Sequence, residues 1–233
     1  KPETQGATES IIGQWIAQRG GRDKLFLASK IAGPSQGGSH IRDGQTRFNA
    51  SDISSALDGN RKRLQTDYID LKQLHWPQRP TNFFGKLGYE NSEAHNTQTV
   101  TSLQETLQAL EAEIQKGRIR YIGLSNETPW GTMKFLQIAE QLGLSKFVSV
   151  QNPYSLLNRT YEIGMSEIAK YEDVGLLAYS PLAFGYLTGK FRNGARPANA
   201  RVTLFSRFSR YSNPESEWAI EQYAQLAERH GLT

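Results

Sequence analysis

The 233-residue sequence predicts an α/β fold, a (β/α)8 TIM barrel with about five of its eight strands present in this chain. Short apolar runs of β type alternate with longer segments of helical periodicity, which is the pattern of a parallel sheet. Each predicted strand also places a polar or aromatic residue at its carboxyl end, and in a parallel barrel those ends meet on one face. Alternation alone leaves an open doubly wound sheet as a competing fold, so the polar strand ends favour the barrel.

The first predicted helix spans 8–19. It opens with Thr8 as a capping residue, ends before a Gly-Gly pair, and places four apolar residues on one side: Ile11, Ile12, Trp15 and Ile16. A buried strand at 25–30 follows, with Lys30 at its carboxyl end. The Gly/Ser-rich stretch 34–38 after it is a predicted loop.

Apolar spacing then marks a helix that ends at Leu64, followed by a strand at 68–76. The polar stretch from 77 to about 97 is a predicted loop, and loops of this length inside a compact domain are usually functional or mobile. The clearest helical pattern comes next, because four apolar residues recur at helical spacing before Gly117: Leu103, Leu107, Leu110 and Ile114.

A strand at 119–124 precedes a helix that starts at Thr128-Pro129, a capping residue followed by a proline at the first helical position, and closes at Gly143. The remaining predicted elements are a strand at 147–151, a helix at 163–171, a strand at 175–179, a Gly-rich loop at 180–210 and a helix at 214–229. Because no linker-like segment or repeat interrupts this series, we expect one domain over 1–233.

Composition restricts the classes of function. The chain has no cysteine, which excludes disulfides, thiolate metal sites and thiol nucleophiles and fits a reducing compartment such as the cytoplasm. Its formal charge of +4 comes from dispersed basic residues, so we expect no nucleic-acid partner but a mild preference for anionic ligands. No apolar run is long enough for a membrane helix, and we expect no membrane partner.

The sequence lacks several common catalytic signatures. Its four histidines have neither i,i+4 pairing nor a carboxylate at ligand spacing, so no metal is expected. It contains no dinucleotide-binding fingerprint and no phosphate-binding loop motif. A nicotinamide cofactor would therefore bind without the usual Rossmann loop.

Four motifs follow one another along the chain at the ends of predicted strands. They are Asp70-Leu71-Lys72-Gln73-Leu74-His75-Trp76-Pro77, Ile119 to Asn126 with its Gly-x-Ser-Asn ending, Val150-Gln151-Asn152-Pro153-Tyr154-Ser155 and Ala178-Tyr179-Ser180-Pro181-Leu182. Together they resemble the motifs of the aldo-keto reductases, and most closely those of the branch of bacterial reductases and potassium-channel β-subunits. The resemblance implies an NADPH-dependent enzyme that transfers hydride to an aldehyde or ketone, with NADP(H) as cofactor and a small-molecule carbonyl as substrate.

The resemblance also implies a role for individual residues. Lys30 and His75 match the lysine and histidine of the family's catalytic set, where the lysine lowers the pKa of a tyrosine proton donor and the histidine orients and polarises the carbonyl. The cofactor-binding positions that it implies are Ser125, Asn126 and Gln151 for the nicotinamide carboxamide, Tyr179 for stacking on the ring, and Ser180, Leu182, Gly185, Lys190 and Arg207 for the phosphates. Lys190 and Arg207 are equally compatible with solvated loop charge.

The sequence departs from the family pattern at both ends. The family's catalytic aspartate and tyrosine should lie just upstream of Thr8, so we expect strands one, two and eight to be absent and the chain alone to be poorly folded and inactive. Two other functions stay open: a cofactor-sensing accessory subunit that binds NADPH and turns it over slowly, and a barrel lyase or isomerase acting on a phosphorylated substrate. Four aromatic residues are candidates for lining the substrate pocket or for simple packing: Phe83, Phe84, Tyr89 and Trp130.

Overall fold

The computed structural model of the chain describes residues 2–34, 40–44, 46–84, 86–90 and 100–232. These residues form two compact units. The first unit runs to Gln151 and includes Ile168–Leu176, and the second comprises Asn152–Glu167 and the chain from Leu177 onward. The expectation of one domain stays a prediction. Within the described residues, every helix is too short or too polar to cross a membrane.

The first unit contains a five-stranded sheet. Its strands are β1 (Ala28–Ile31), β2 (Ile69–Leu74), β3 (Ile119–Ser125), β4 (Ser149–Gln151) and β5 (Gly175–Leu176). All neighbours are parallel, and the strands lie in sequential order from β1 to β5. A doubly wound sheet reverses its strand order at a switch point, and the sequential order of these strands excludes that alternative. The sheet is that of an incomplete (β/α)8 barrel, as predicted.

The helices follow the predicted series. They are α1 (Ala7–Arg19), α2 (Ala50–Leu64), α3 (Leu103–Gln115), α4 (Pro129–Leu142), α5 (Met165–Tyr171), α6 (Arg201–Leu204) and α7 (Pro214–Arg229). The side chains of Asn49, Ser102 and Thr128 cap α2, α3 and α4 by accepting a hydrogen bond from the backbone N–H three residues on. The cap predicted for α1 is wrong, because this helix begins one residue before Thr8, after Gly6 in the left-handed conformation.

The buried side of α1 also differs from the prediction. Ile16 is buried, whereas Ile11 and Trp15 are 66% and 46% exposed. The reason is Gly13, which lies against the backbone of α2 so closely that an added Cβ would be 2.2 Å from the carbonyl oxygen of Arg63. The two helices therefore meet along the row of Gly13 and Ile16, and the Ile11–Trp15 row turns outward.

This close approach gives a test by substitution. Gly13→Ala should lower the free energy of unfolding by about 1–3 kcal/mol, because the methyl group meets backbone atoms that cannot rotate away. Gly59→Ala in α2 is the matched control, since its Cβ would meet only the flexible end of the Arg63 side chain, and it should stabilise by up to about 1 kcal/mol. Urea unfolding of both variants measures the difference; equal effects would contradict the packing of α1 on α2.

Strands β1, β2, β4 and β5 are shorter than the sequence predicts, and hydrogen bonds give the reason for β1 and β5. The carbonyl of Leu27 accepts hydrogen bonds from the N–H groups of both Asp70 and Leu71, so the regular ladder of β1 starts only at Ala28. After Leu176 the chain leaves the ladder of β5, and Tyr179 then pairs with Pro153 as an isolated bridge in the second unit.

The second unit has its own small core. The buried residues Ala183, Tyr186, Phe191, Ala200, Tyr211 and Ile220 pack together. The segment predicted as a Gly-rich loop contributes to this core through short 3-10 turns at Ala183–Thr188 and Arg192–Gly194 and through α6. Arg192 ties these turns to α7 by ion pairs of 2.8 Å to Glu221 and 2.7 Å to Glu228. The loop prediction was therefore incomplete.

A buried carboxylate anchors the amino-terminal end of the sheet. Asp70 is 1% exposed and accepts hydrogen bonds from the Leu27 backbone N–H at 2.9 Å, from Arg22 at 2.6 Å and from Arg120 at 2.8 Å. The two guanidinium groups lie 4.0 and 4.2 Å from the ring centroid of Tyr68. Charged groups at this end of a barrel contribute to stability, because catalytic groups lie at the opposite, carboxyl end.

Candidate active site

The carboxyl ends of β1 to β4 carry a set of polar side chains on one face of the first unit's sheet. Lys30 pairs with Gln73 across β1 and β2, and Ser125 pairs with Gln151 across β3 and β4. The register of β2 with β3 puts Gln73 and Ser125 on the same face. His75, two residues beyond Gln73, continues that face just past the end of β2. The structure therefore brings together the five predicted site residues of this unit, including Asn126, which follows Ser125.

Hydrogen bonds fix these strand ends to one another. The Ser125 hydroxyl donates to the carbonyl of Gln151 at 2.9 Å. The side-chain amide of Asn126 donates to the carbonyl of His75 at 2.9 Å and to the Ser125 hydroxyl at 3.1 Å. Asn126 reaches both because its backbone adopts the left-handed conformation, with φ of 54°. The ends of β2, β3 and β4 are thus held as a preformed group.

The two predicted catalytic residues sit in an environment that disfavours charge. Burial lowers the pKa of Lys30. Burial, and secondly the positive charge of Lys30, lower the pKa of His75 to about 4. The ring of His75 also packs against Trp76 at 4.7 Å and Phe84 at 6.5 Å between centroids. At neutral pH His75 is therefore uncharged, and one ring nitrogen can donate a hydrogen bond while the other accepts one.

The histidine environment predicts a titration. The Cε1 proton of His75 should keep the chemical shift of a neutral imidazole until the pH falls to about 4. Lys30→Met should raise this pKa only in part, because burial is its larger cause and the lysine charge the smaller. NMR titration of the histidine resonances, with His75 assigned from His75→Gln, measures both. A pKa near the ordinary value of about 6.5 would contradict the buried position of His75.

The remaining predicted site residues lie in the second unit. Tyr179 is half-buried, and burial raises its pKa although a hydrogen bond from Arg210 acts in the opposite direction. After Ser180 and the exposed Leu182 the chain takes three successive left-handed residues, Ala183, Phe184 and Gly185, with φ of 47°, 58° and 99°. An added Cβ on Gly185 would lie 2.8 Å from Cε of Lys190. This contact involves only the flexible end of the lysine side chain, so glycine is favoured at 185 by its φ of 99°.

Arginine and aromatic residues alternate between 201 and 211. The guanidinium of Arg207 lies 4.9 Å from the ring centroid of Phe208, and that of Arg201 lies 4.0 Å from the same ring. Arg207 was predicted from the sequence as a phosphate contact, whereas Arg201 and Arg210 were not. The interleaving of arginine with aromatic residues in this stretch was the available signal, because a planar guanidinium stacks on ring faces.

The aromatic candidates for a substrate pocket are distributed over the loops of the first unit. Phe83 and Phe84 line a cavity of about 560 Å³ together with Trp76, and Trp130 lines a separate cavity of about 200 Å³. Tyr89 is 63% exposed. The part of the predicted 77–97 loop at 85 and 91–97, and the Gly/Ser-rich stretch 35–38, lie outside the described residues.

The strand order and the polar strand ends define a barrel-type enzyme fold with a site at the carboxyl ends of its strands. The chain belongs to the aldo/keto reductase family, whose profile matches residues 4–233. This finding confirms the resemblance inferred from the four motifs.

Three curated proteins illustrate how similar the chain is to known sequences. Protein tas of Escherichia coli is 52% identical over 233 residues, which cover 100% of this chain and 66% of that protein. An aldo-keto reductase of Babesia bovis is 39% identical over 213 residues, covering 88% of this chain and 75% of its own length. Aldo-keto reductase yakc [NADP(+)] of Schizosaccharomyces pombe is 31% identical over 190 residues, covering 81% and 48%. The chain thus spans less than two thirds of the length of Protein tas. The comparisons support an oxidoreductase.

Proposed function

We propose that the protein containing this chain reduces aldehydes or ketones to alcohols, with NADPH as the hydride donor. The observation that carries the proposal is an uncharged, half-buried His75 that feels the charge of Lys30 on the face where the polar ends of four strands meet. Membership of the aldo/keto reductase family supports the reaction class. The name of one relative includes NADP(+), which supports the choice of cofactor.

In this proposal His75 acts on the carbonyl. A neutral imidazole donates a hydrogen bond to the carbonyl oxygen and so polarises the bond at which hydride arrives. Lys30 supplies a positive charge near the same oxygen, and it stabilises negative charge that develops there during the reaction. The proton that completes the alcohol comes from a tyrosine donor, and no tyrosine of this chain matches its position.

The first unit offers groups that fit a nicotinamide carboxamide. Ser125, Asn126 and Gln151 present hydroxyl and amide groups beside one another at the ends of β3 and β4, and these are donors and acceptors of the kind that an amide requires. When bound, NADPH supplies hydride from its nicotinamide ring. The role of the three side chains is to orient that ring.

The second unit offers groups that fit a pyrophosphate. Its loop at 183–185 has three successive residues with positive φ, and the Lys190 side chain lies against Gly185. Lys190, Arg207 and Arg210 provide cations near this loop or the segment that follows it, and guanidinium groups bind phosphate oxygens through paired hydrogen bonds. Tyr179 is the aromatic residue proposed to stack on the nicotinamide ring. Ser180 and Leu182 complete this proposed segment.

The experiment uses the protein expressed from its complete gene. Absorbance at 340 nm is followed with NADPH and an activated aromatic aldehyde, and NADPH binding is followed separately by quenching of tryptophan fluorescence. Consumption that requires both reagents is expected. Saturable quenching without consumption would contradict the reductase and favour an accessory, cofactor-sensing subunit. The absence of both would refute the cofactor as well as the reaction.

A further inference from the structure

A lysine on the opposite face of the sheet lies directly behind the proposed site. Lys72 is the partner of Ser29 in the β1–β2 register, so it points away from the face that holds Lys30 and Gln73. Its side chain is fully buried, with 0% exposure. A lysine without solvent contact is rare unless something in the fold requires it.

The amino group of Lys72 makes three contacts that join different elements. It donates to the backbone carbonyl of Lys30 at 3.2 Å, to the Ser29 hydroxyl at 3.4 Å, and to the side-chain carbonyl of Asn60 on α2. The carbonyls of Leu27 and Ile31 accept from the N–H groups of β2, and alternation along the strand turns the carbonyl of Lys30 away from β2. Lys72 therefore supplies this carbonyl with a partner that β2 does not provide.

A carboxylate connects this cluster to α1. Glu9 accepts hydrogen bonds from the Ser29 hydroxyl at 2.6 Å, from the Asn60 amide at 2.7 Å and from Arg63 at 2.7 Å. Lys72, Ser29 and Asn60 thus share one network that spans β1, β2, α1 and α2. The network contacts β1 at Ser29 and at the backbone carbonyl of Lys30, whose side chain lies on the other face of the sheet, in the proposed site.

We propose that Lys72 is a positioning residue, which holds the β1 backbone at Lys30 from the helix side and so fixes the direction in which the Lys30 amino group enters the site. For its effect on turnover the inference rests on the proposed function, but its effect on Lys30 itself does not. A misplacement of a reacting group by about 1 Å can reduce a rate by roughly 100-fold, so a small movement of β1 is sufficient to matter.

The charge state of Lys72 is consistent with this role. Burial lowers its pKa to about 7, with a raising contribution from Glu9 on α1 and lowering contributions from Arg63 on α2, Arg42 and Lys30. The protonated amine has three N–H donors for its three acceptors, and the neutral amine keeps two of them. Lys72 therefore donates hydrogen bonds within this network in both protonation states.

The test replaces the amino group without changing the length of the side chain. Lys72→Met removes the donors and keeps an unbranched apolar chain, and Lys62→Met at an exposed lysine of α2 is the matched control. The first readout is 13C NMR of the lysine ε-carbons, with Lys30 assigned from Lys30→Arg, because it requires no turnover. In Lys72→Met the pKa of Lys30 should return toward its ordinary value, since its side chain is no longer held in the buried position, and Lys62→Met should leave it unchanged. Removal of the Lys72 charge acts in the same direction, so Asn60→Ala, which keeps that charge, should also raise the pKa of Lys30.

The second readout is NADPH-dependent reduction by the protein from its complete gene. Lys72→Met should lower kcat by roughly 10- to 100-fold while KM for NADPH stays within about twofold. If Lys72→Met does not fold, Asn60→Ala, which removes the acceptor that orients Lys72, should change Lys30 in the same direction. An unchanged Lys30 titration in a folded variant would overturn the inference. A changed titration in a protein without any reductase activity would support the positioning role and refute the proposed function instead.

Discussion

Replacing His75 by alanine should reduce kcat for carbonyl reduction by roughly 10²- to 10⁴-fold, the range expected for the loss of a group that polarises or protonates a reacting atom. The neutral imidazole is the residue proposed to contact the carbonyl oxygen, and alanine offers no hydrogen bond in its place. KM for NADPH should change little, because His75, just past the end of β2, is not among the residues proposed for the cofactor. Steady-state kinetics with varied aldehyde and varied NADPH separate the two effects.

An exposed histidine gives the control for this substitution. His40→Ala removes the same side chain from the surface and should leave kcat unchanged. The thermal unfolding midpoint of both variants shows whether loss of the half-buried ring has damaged the fold. A folded His75→Ala variant with kcat within a factor of about three of the wild type would remove His75 from the mechanism.

Asp70→Asn should lower the free energy of unfolding by about 3–5 kcal/mol, because breaking one partner of a buried ion pair leaves uncompensated charge. Burial alone would raise the pKa of Asp70, but hydrogen bonds from the Leu27 N–H and Arg22, together with the charges of Arg22 and Arg120, bring it below its usual value. Arg22 is itself largely buried at 15% exposure, so it cannot recover full hydration. Asp67→Asn is the control, because Asp67 is fully exposed and its loss should cost less than about 1 kcal/mol.

The pH dependence of the Asp70 effect has a defined sign. A carboxyl group whose pKa is lower in the folded state stabilises the fold above its unfolded pKa of about 3.9, and this contribution is lost as the pH falls through the lowered folded value. The difference in stability between wild type and Asp70→Asn should therefore be constant near neutral pH and shrink in acid. Urea unfolding at a series of pH values measures it, and a difference that grows in acid would contradict the assignment.

The sequence predicted the elements of this fold better than the faces that they bury. Helix α4, from the capping Thr128 to Gly143, has the predicted ends because capping residues and helix-ending glycines act locally. The apolar side of α1 was found from the sequence but its partial exposure was not, since an isoleucine row has the same spacing whether a neighbouring helix or solvent lies beside it. Only the contact of Gly13 with α2 decides between these possibilities.

For the candidate site as well, the sequence predicted which residues take part but not how their side chains are arranged. Polar residues at strand ends are visible in a sequence, and Lys30, His75, Ser125, Asn126 and Gln151 were found on that basis. Other features depend on strand register and loop conformation, which no local pattern specifies. They are the hydrogen bonds that Asn126 makes between strand ends, the position of the Lys72 side chain on the opposite face of the sheet, and the stacking of Arg201 on a ring. A lysine within a predicted buried strand was the signal available for Lys72.

The central claim is that hydride passes from NADPH to a carbonyl carbon in the protein that contains this chain. Its most direct test uses NADPH in which both hydrogens at C4 of the nicotinamide are replaced by deuterium, together with an aromatic aldehyde, and mass spectrometry of the alcohol. We expect one deuterium on the carbinol carbon of the product. In His75→Ala the labelled alcohol should form more slowly, by the same factor as the loss in kcat. Alcohol without deuterium, or NADPH consumption without alcohol, would contradict the account.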